Sequence, residues 1–412
     1  MLLNRLWIGL FVVAFITASI KLLGFGDTQV FKSIVDAMFD SSKTAFELAL
    51  FLTGALCLWM GVMQIGEKGG ALHYLTRAVS PLFEKLFPEI PKNHPAVGAM
   101  MMNFSANMLG LDNAATPLGL KAMNQLQELN PEKEKASNAQ IMFLVLNTSG
   151  LTIIPVSILA YRMAAGSESP ADVFLPILLT TFFSSMGGLL FVSIRQKINL
   201  LHPVILAYLG TTTVVVGSLI ATVIYFPEYT EVISNVGGNV LLFGIVTTFI
   251  LLAVRSKINV YETFIDGAKG GFDVAIKIIP FLVAILVAVA VFRASGAMEL
   301  LFSGIREAAI FMGVKCLAFV DALPTAFMKP FSGTAARGMM MDVYANSGVD
   351  SFAGRLASVF QGSTETTFYV LSVYFGSVGI KNTRYAAGAG LFADFTGIIA
   401  AILLTSIFFT CL

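Results

Sequence analysis

Glu365 lies in the stretch FQGSTETTFY, residues 360–369, in the middle of an apolar run and flanked by Gln361, Ser363, Thr364, Thr366 and Thr367. A carboxylate in such surroundings is costly unless it has work to do. It can coordinate a cation, carry a proton with a pKa raised by desolvation, or hydrogen-bond a polar solute. The bland alternative is a structural ion pair with Lys329 or Arg337. Those two cations stand in a second unusual stretch, DALPTAFMKPFSGTAARGMMMD, residues 321–342. On insertion scales a charge at a bilayer centre costs ~2.5–3.5 kcal/mol, so Lys329 and Arg337 must pair, face water, or snorkel to an interface. Lys329 next to Pro330, followed by Ser332, Gly333 and Thr334, sets a cation and free backbone amides where an anion could sit.

Two further stretches carry neutral hydrogen-bonding groups. In 102–123, Asn103 and Asn107 share one helical face, and Gly110 and Pro117 favour a break ahead of Asp112, Asn113 and Thr116. Backbone groups freed by such a break are tolerated at membrane depth only inside protein or along a wet cavity. In NTSGLT, residues 147–152, Asn147, Thr148 and Ser149 extend the set, with ordinary helix packing as the competing reading. Asp394 is a weaker candidate with the same two readings as Glu365.

These residues need elements to hold them, and composition says where those elements lie. Of 412 residues, 56% are hydrophobic and only 12% charged, about half the charge of an average soluble domain. Apolar length gives about nine spans: 6–24, 46–65, 140–161, 173–194, 203–226, 238–254, 276–295, 353–376 and 385–410. Segments 97–120 and 312–340 are apolar but interrupted, and read as broken or re-entrant hairpins. Loops holding Arg195 and Lys197, Arg255 and Lys257, and Lys381 and Arg384 are basic. Those at 163–172 and 227–237 hold Glu168, Asp172, Glu228 and Glu231 without a Lys or Arg. The positive-inside rule then puts the N-terminus in the cytoplasm and the C-terminus outside. The three cysteines are far apart and read as packing residues. A net charge of +1 argues against a nucleic-acid partner. No metal-ligand spacing, cofactor motif or nucleophile–base arrangement stands out, so the expectation is no cofactor, no metal and no enzyme activity.

The two halves echo one another. FKSIVDAMFDSSKTAFELALFLTG near residue 31 aligns with YETFIDGAKGGFDVAIKIIPFLVA near 261, matching Asp36 with Asp266 and, further on, Gly66 with Gly296. A second block matches Ser149 with Ser363 and Thr152 with Thr366. Five spans separate the start of one copy from the start of the next, and an odd number inverts the second copy. Inverted repeats with Gly/Pro-interrupted segments in corresponding places mark secondary transporters, with substrate at the repeat interface.

HPAVGAMMMNFSANMLGLDNAATPLGLKAM followed by FLVLNTSGLTIIP closely resembles the spore maturation protein A family. DALPTAFMKPFSGTAARGMMMD and SFAGRLASVFQGSTETTFYVLSVYFGSVGIKNTRYA closely resemble the spore maturation protein B family. The resemblance implies a fusion, with one Gate-like half over 1–200 and another over 201–412. It links the chain to nucleoside-recognition, or Gate, membrane domains, similar ones of which occur in concentrative nucleoside transporters and in the channel part of the ferrous iron transporter. The expected fold is an all-α membrane protein with two halves in inverted repeat. The expected function is a bacterial inner-membrane transporter or gated channel for a small polar solute, anionic or nucleoside-like. Its partners are then the bilayer and that solute, with a homo-oligomer compatible with the sequence. The alternative is a non-transporting scaffold for cell-envelope or spore-maturation partners.

Overall fold

The computed structural model describes the chain except for Met1, Lys92, Asn93, Gly110, Leu111, Thr230, Glu231, Lys315, Thr410 and Leu412. Among the described residues the protein is all-α. The first half comprises α1 (Leu2–Phe25), α2 (Val30–Lys68), α3 (Ala71–Leu86), α4 (Pro95–Met108), α5 (Asp112–Leu129), α6 (Asn138–Thr148), α7 (Val156–Ala164) and α8 (Phe174–Gln196). After α9 (Pro203–Tyr225) and α10 (Gly238–Arg255) come α11 (Val260–Ala294), α12 (Ala297–Phe311), α13 (Ala318–Met328), α14 (Gly333–Ser347), α15 (Phe352–Ser363), α16 (Thr367–Ser377) and α17 (Ala386–Phe408).

Helices α2–α8 and α11–α17 follow the same order: one long helix, a shorter helix, a hairpin, a span in two pieces, and an apolar span. The long helices end alike. Gly70 (φ 88°) and Gly296 (φ 83°) take the left-handed conformation, open to glycine at little cost, and turn the chain into α3 and α12. Gly296 therefore has its structural counterpart at Gly70, one helical turn beyond the Gly66 matched in sequence. The broken spans also start alike. Ser137 caps α6 in a reciprocal box with Gln140, and Ser351 caps α15 through the Gly354 amide.

Corresponding helices pack against each other and run antiparallel. On α2 and α11, Cys57 lies at Gly271 and Met60 at Gly267, so one helix ascends as the other descends. A Cβ on Gly267 would sit 2.5 Å from the Met60 carbonyl oxygen, and one on Gly271 2.7 Å from the Cys57 nitrogen. Only glycine permits this crossing, the way small residues bring membrane helices together. On α8 and α17, Ser184 donates to the Ala393 carbonyl (3.0 Å) and Gln196 to the Tyr385 hydroxyl (3.0 Å), again antiparallel.

Six helices among the described residues are long and apolar enough to cross a membrane: Trp7–Phe25, Val30–Lys68, Pro170–Gln196, Pro203–Tyr225, Gly238–Arg255 and Ala386–Phe408. A seventh results if Leu282–Ala294 and Ala297–Phe311, bent by 68°, count as one. Of the nine expected spans, 140–161 and 353–376 are each divided, and 276–295 is the end of a helix that starts at Val260. Gly150 (φ 57°) and Pro155 divide the first; the polar run Thr364–Thr366 divides the second.

Cys316 and Cys411 are joined in a disulfide, with Cα atoms 5.8 Å apart, which corrects their reading as separate packing residues. The two lie 95 positions apart in sequence, and the fold brings them together, a closeness that spacing alone does not reveal. Cys57 is a free thiol.

Candidate functional site

Four irregular segments meet at one place. The Thr148 carbonyl, at the end of α6, accepts the Glu365 amide (2.9 Å), so the two span breaks touch directly. The tip of the α4–α5 hairpin joins the first break through Ile153 N–H to the Met108 carbonyl (2.7 Å). The α13–α14 tip joins the second through Phe368 N–H to the Pro330 carbonyl (3.0 Å). Backbone groups released by each break thus find partners in the corresponding hairpin or in the other break, as polar backbone at membrane depth must.

Around this junction lies a cavity of about 300 Å³, lined by Asn107, Lys329, Arg337, Gln361, Thr364 and Glu365, with Trp59, Tyr161 and Gly333 among the remaining walls. A second chamber of about 180 Å³ is lined by Asn107, Thr116, Asn147, Glu365, Tyr369 and Tyr374. Asn107 and Glu365 border both. Asn107 donates to the Asn147 side-chain carbonyl (2.7 Å), fixing the two amides at the shared wall.

The charges are held differently from one another. Lys329 is buried and donates to the Gln361 carbonyl at the end of α15 (2.8 Å). That capping interaction satisfies an orphan carbonyl and places the cation against the negative end of a helix. Arg337 lies over the Tyr161 ring, 5.1 Å from its centroid, and its buried Nε meets no acceptor. Glu365 is exposed to the cavity, and among the described residues no cation lies within ion-pair distance of its carboxylate. The structural ion pair weighed for Glu365 is therefore absent. Ser332 accepts from the Ala335 amide (3.1 Å) and starts α14 at the cavity wall, where Gly333 takes a hydrogen bond from Gln361 Nε2 (3.3 Å). Among the described residues no group of three or more His, Cys, Asp or Glu could hold a metal ion.

Other expected site residues stand behind these walls. Asn103 is buried and donates to the Ala115 carbonyl (2.7 Å), tying α4 to α5. Thr148, Ser149 and Ser363 bond back to carbonyls of their own helices at 3.0, 3.2 and 3.2 Å and border neither chamber. Their side chains bond the helix ends at the two breaks. Asp394 is buried, accepts from the Thr367 hydroxyl (2.7 Å) and also lies outside the two linings. Gly110 and Glu231, and the side chains of Asp112 and Asn113, lie outside the described residues.

Sequence reasoning missed an ionic layer next to the cavity. Arg162, adjacent to cavity-lining Tyr161, is fully buried and bonds Asp172 (2.8 Å) and Asp350 (2.7 Å). Arg355 holds the other Asp172 oxygen (2.7 Å) and stacks on Phe409, 4.7 Å from its centroid, near the disulfide. Asp350 also accepts from the Ser167 hydroxyl (2.6 Å) and the Glu168 amide (2.9 Å). Burial would raise its carboxyl pKa, but these hydrogen bonds and the two guanidinium groups outweigh it, so the pKa lies below the usual value.

Comparison with known proteins agrees with this architecture. A family profile described as "Gate: Nucleoside recognition" matches residues 49–229. Spore maturation protein A of Bacillus subtilis (strain 168) is 39% identical over 187 residues, which cover 45% of this chain and 92% of the relative. Spore maturation protein B of the same organism is 45% identical over 165 residues, covering 40% of this chain and 90% of the relative. With about nine-tenths of each relative matched, the chain belongs to the spore maturation protein A and B family and unites both types in one polypeptide.

Proposed function

We propose that the protein is a transporter or gated channel for a small polar solute, which binds where the two span breaks meet. One observation carries this reading: among the described residues, a Glu365 with no cation at ion-pair distance and an Arg337 with no carboxylate partner face a common cavity. Interhelical polar contacts average only about 0.6 kcal/mol in bilayers, so adhesion is a poor reason to keep such groups. Antiparallel packing of α2 on α11 and of α8 on α17 supports an inverted repeat, the arrangement in which one half can rock against the other around a fixed site. The ionic layer of Arg162, Asp172, Asp350 and Arg355 closes the cavity beside Tyr161 in this reading.

The protein resides in the bacterial inner membrane with its N-terminus in the cytoplasm, and it performs no covalent chemistry. The Cys316–Cys411 disulfide supports an outward-facing C-terminus, because disulfides persist in oxidising compartments. The names of the relatives set spore maturation as a context, and the family description makes nucleosides one solute class to test.

The test is uptake of labelled nucleosides, amino acids, carboxylates and monovalent cations into liposomes carrying the purified protein. Entry of one class above protein-free liposomes, abolished or shifted in pH by Glu365→Gln, is the expected result. Flux equal to that of empty liposomes for every class would remove the transport reading and leave the scaffold.

A further inference from the structure

Two opposed charges border one cavity without neutralising each other. Among the described residues the Glu365 carboxylate meets no cation at ion-pair distance and Arg337 meets no carboxylate, lying instead over the Tyr161 ring. Opposite charges in a low-dielectric site ordinarily collapse into a pair, since each left alone is expensive. Here the walls keep them apart: Arg337 extends from α14 and is anchored over Tyr161, while Glu365 sits on the break that is bonded to Thr148.

Helix ends add to the polarity of the lining. Gly333 at the start of α14 and Val156 at the start of α7 both line the cavity, and helix amino ends favour negative charge. Glu365 shares both chambers with the Asn107 amide. Across the whole lining, Glu67 and Glu365 balance Lys329 and Arg337, so the site has no preference for a net anion or a net cation. A lone cation would face two fixed positive charges, and a lone anion would face Glu365. A volume of about 300 Å³ is at the small end of ligand sites.

We infer that the cavity binds a small zwitterion of the α-amino-acid type, its carboxylate at Arg337 and the start of α14 and its ammonium at Glu365. This rests on the cavity being a solute site, and narrows the solute to one bearing both charges in a short frame. A nucleoside, neutral at pH 7, would leave both charges unmatched.

The experiment is calorimetric titration of the purified full-length protein in detergent with the twenty common amino acids, uridine and adenosine. The tightest amino acid is then compared with its amide, which keeps only the ammonium, and its N-acetyl derivative, which keeps only the carboxylate. The expected result is an amino acid bound at least tenfold more tightly than either derivative. In Glu365→Gln the preference over the N-acetyl derivative disappears, and in Arg337→Gln the preference over the amide disappears. Equal binding of a single-charge derivative, binding of a nucleoside instead, or no amino acid bound by the wild type would each overturn the inference, whatever the folding of the variants. Liposome flux separates this from the transport reading. A zwitterion bound but never moved defeats transport alone, and a nucleoside moved without zwitterion binding defeats this inference alone.

Discussion

Replacing Arg162 by Ala isolates the best-defined ionic contact in the molecule. Its guanidinium is fully buried and donates to Pro170 O (3.2 Å), Val349 O (3.0 Å), Ser167 Oγ (3.1 Å), Asp172 (2.8 Å) and Asp350 (2.7 Å). Removing one partner of a buried ion pair leaves an uncompensated charge and costs about 3–5 kcal/mol. Two features pull the value down. Asp172 keeps Arg355, and the Asp350 side chain, 27% exposed, can take up water. The stranded carbonyls of Pro170 and Val349 push it up again, at about 1–3 kcal/mol for each one that water does not reach. The balance puts Arg162→Ala near 3–4 kcal/mol of destabilisation. Asp350→Asn, at the wetter end of the layer, should cost about 1 kcal/mol, the worth of an ordinary hydrogen bond. Denaturation in detergent, followed by loss of the monodisperse peak on size exclusion, reads both variants. Their double mutant should be less destabilised than the sum of the singles by about 0.5–3 kcal/mol, since they share one contact. Additive losses, or an Arg162→Ala protein as stable as Asp350→Asn, would refute the assignment of this layer as a buried clamp.

Asp350 also predicts a pH response. Because its folded pKa lies below the ordinary 3.8, its contribution is complete above that value and fades as the pH falls from there through the folded pKa, with Arg162, Arg355, Ser167 and the Glu168 amide facing it. Melting followed between pH 6 and 3 should show a drop confined to the acid end, and Asp350→Asn should lack that component. Non-reducing electrophoresis of protein from intact cells should show a faster band that Cys411→Ser abolishes; equal mobility of the two would place Cys316 and Cys411 in a reducing environment. Gly271→Val should destabilise the α2–α11 crossing by about 1–3 kcal/mol or more, because its side chain would push into the Leu56–Cys57 backbone, and wild-type stability would refute the tight approach. Fragments 1–200 and 201–412 should each fail to bind the solute alone and regain binding on co-expression, as judged by titration of the co-purified pair.

Much of the cavity was legible because its residues break the local apolar rule. Glu365, Lys329, Arg337, Gln361 and Asn107 are polar groups in apolar runs, and all five reach the cavity. The same rule singles out Thr148, Ser149 and Ser363, which border neither chamber. Short hydroxyl side chains can bond their own helix at 3.0–3.2 Å, and their spacing does not say whether they face in or back. Arg162 went unread because it lies between a span read to 161 and a loop read from 163, where a cation suits an interface. Its partner Asp350 is 188 residues away, so only folding reveals the pair. The aromatic wall of Trp59 and Tyr161 carried no signal beyond ordinary helix hydrophobicity. The broken spans were harder to see than the broken hairpins, because Gly150 and Thr364–Thr366 interrupt runs whose mean apolarity still suits an unbroken helix.

The two halves share one helix order and differ in the charge they turn to the chambers. Facing the chambers, α4–α7 supply Asn107, Thr116, Asn147 and Tyr161, all neutral, whereas α13–α16 supply Lys329, Arg337, Gln361 and Glu365. Among the described side chains that the hairpins and breaks turn to the chambers, the charged ones are therefore all in the second half, with the first providing amides, hydroxyls and an aromatic face. Arg337 on Tyr161 and the Glu365 amide on Thr148 cross from one repeat to the other. Joining both halves in one chain fixes their ratio at one to one, and the cavity takes lining residues from each.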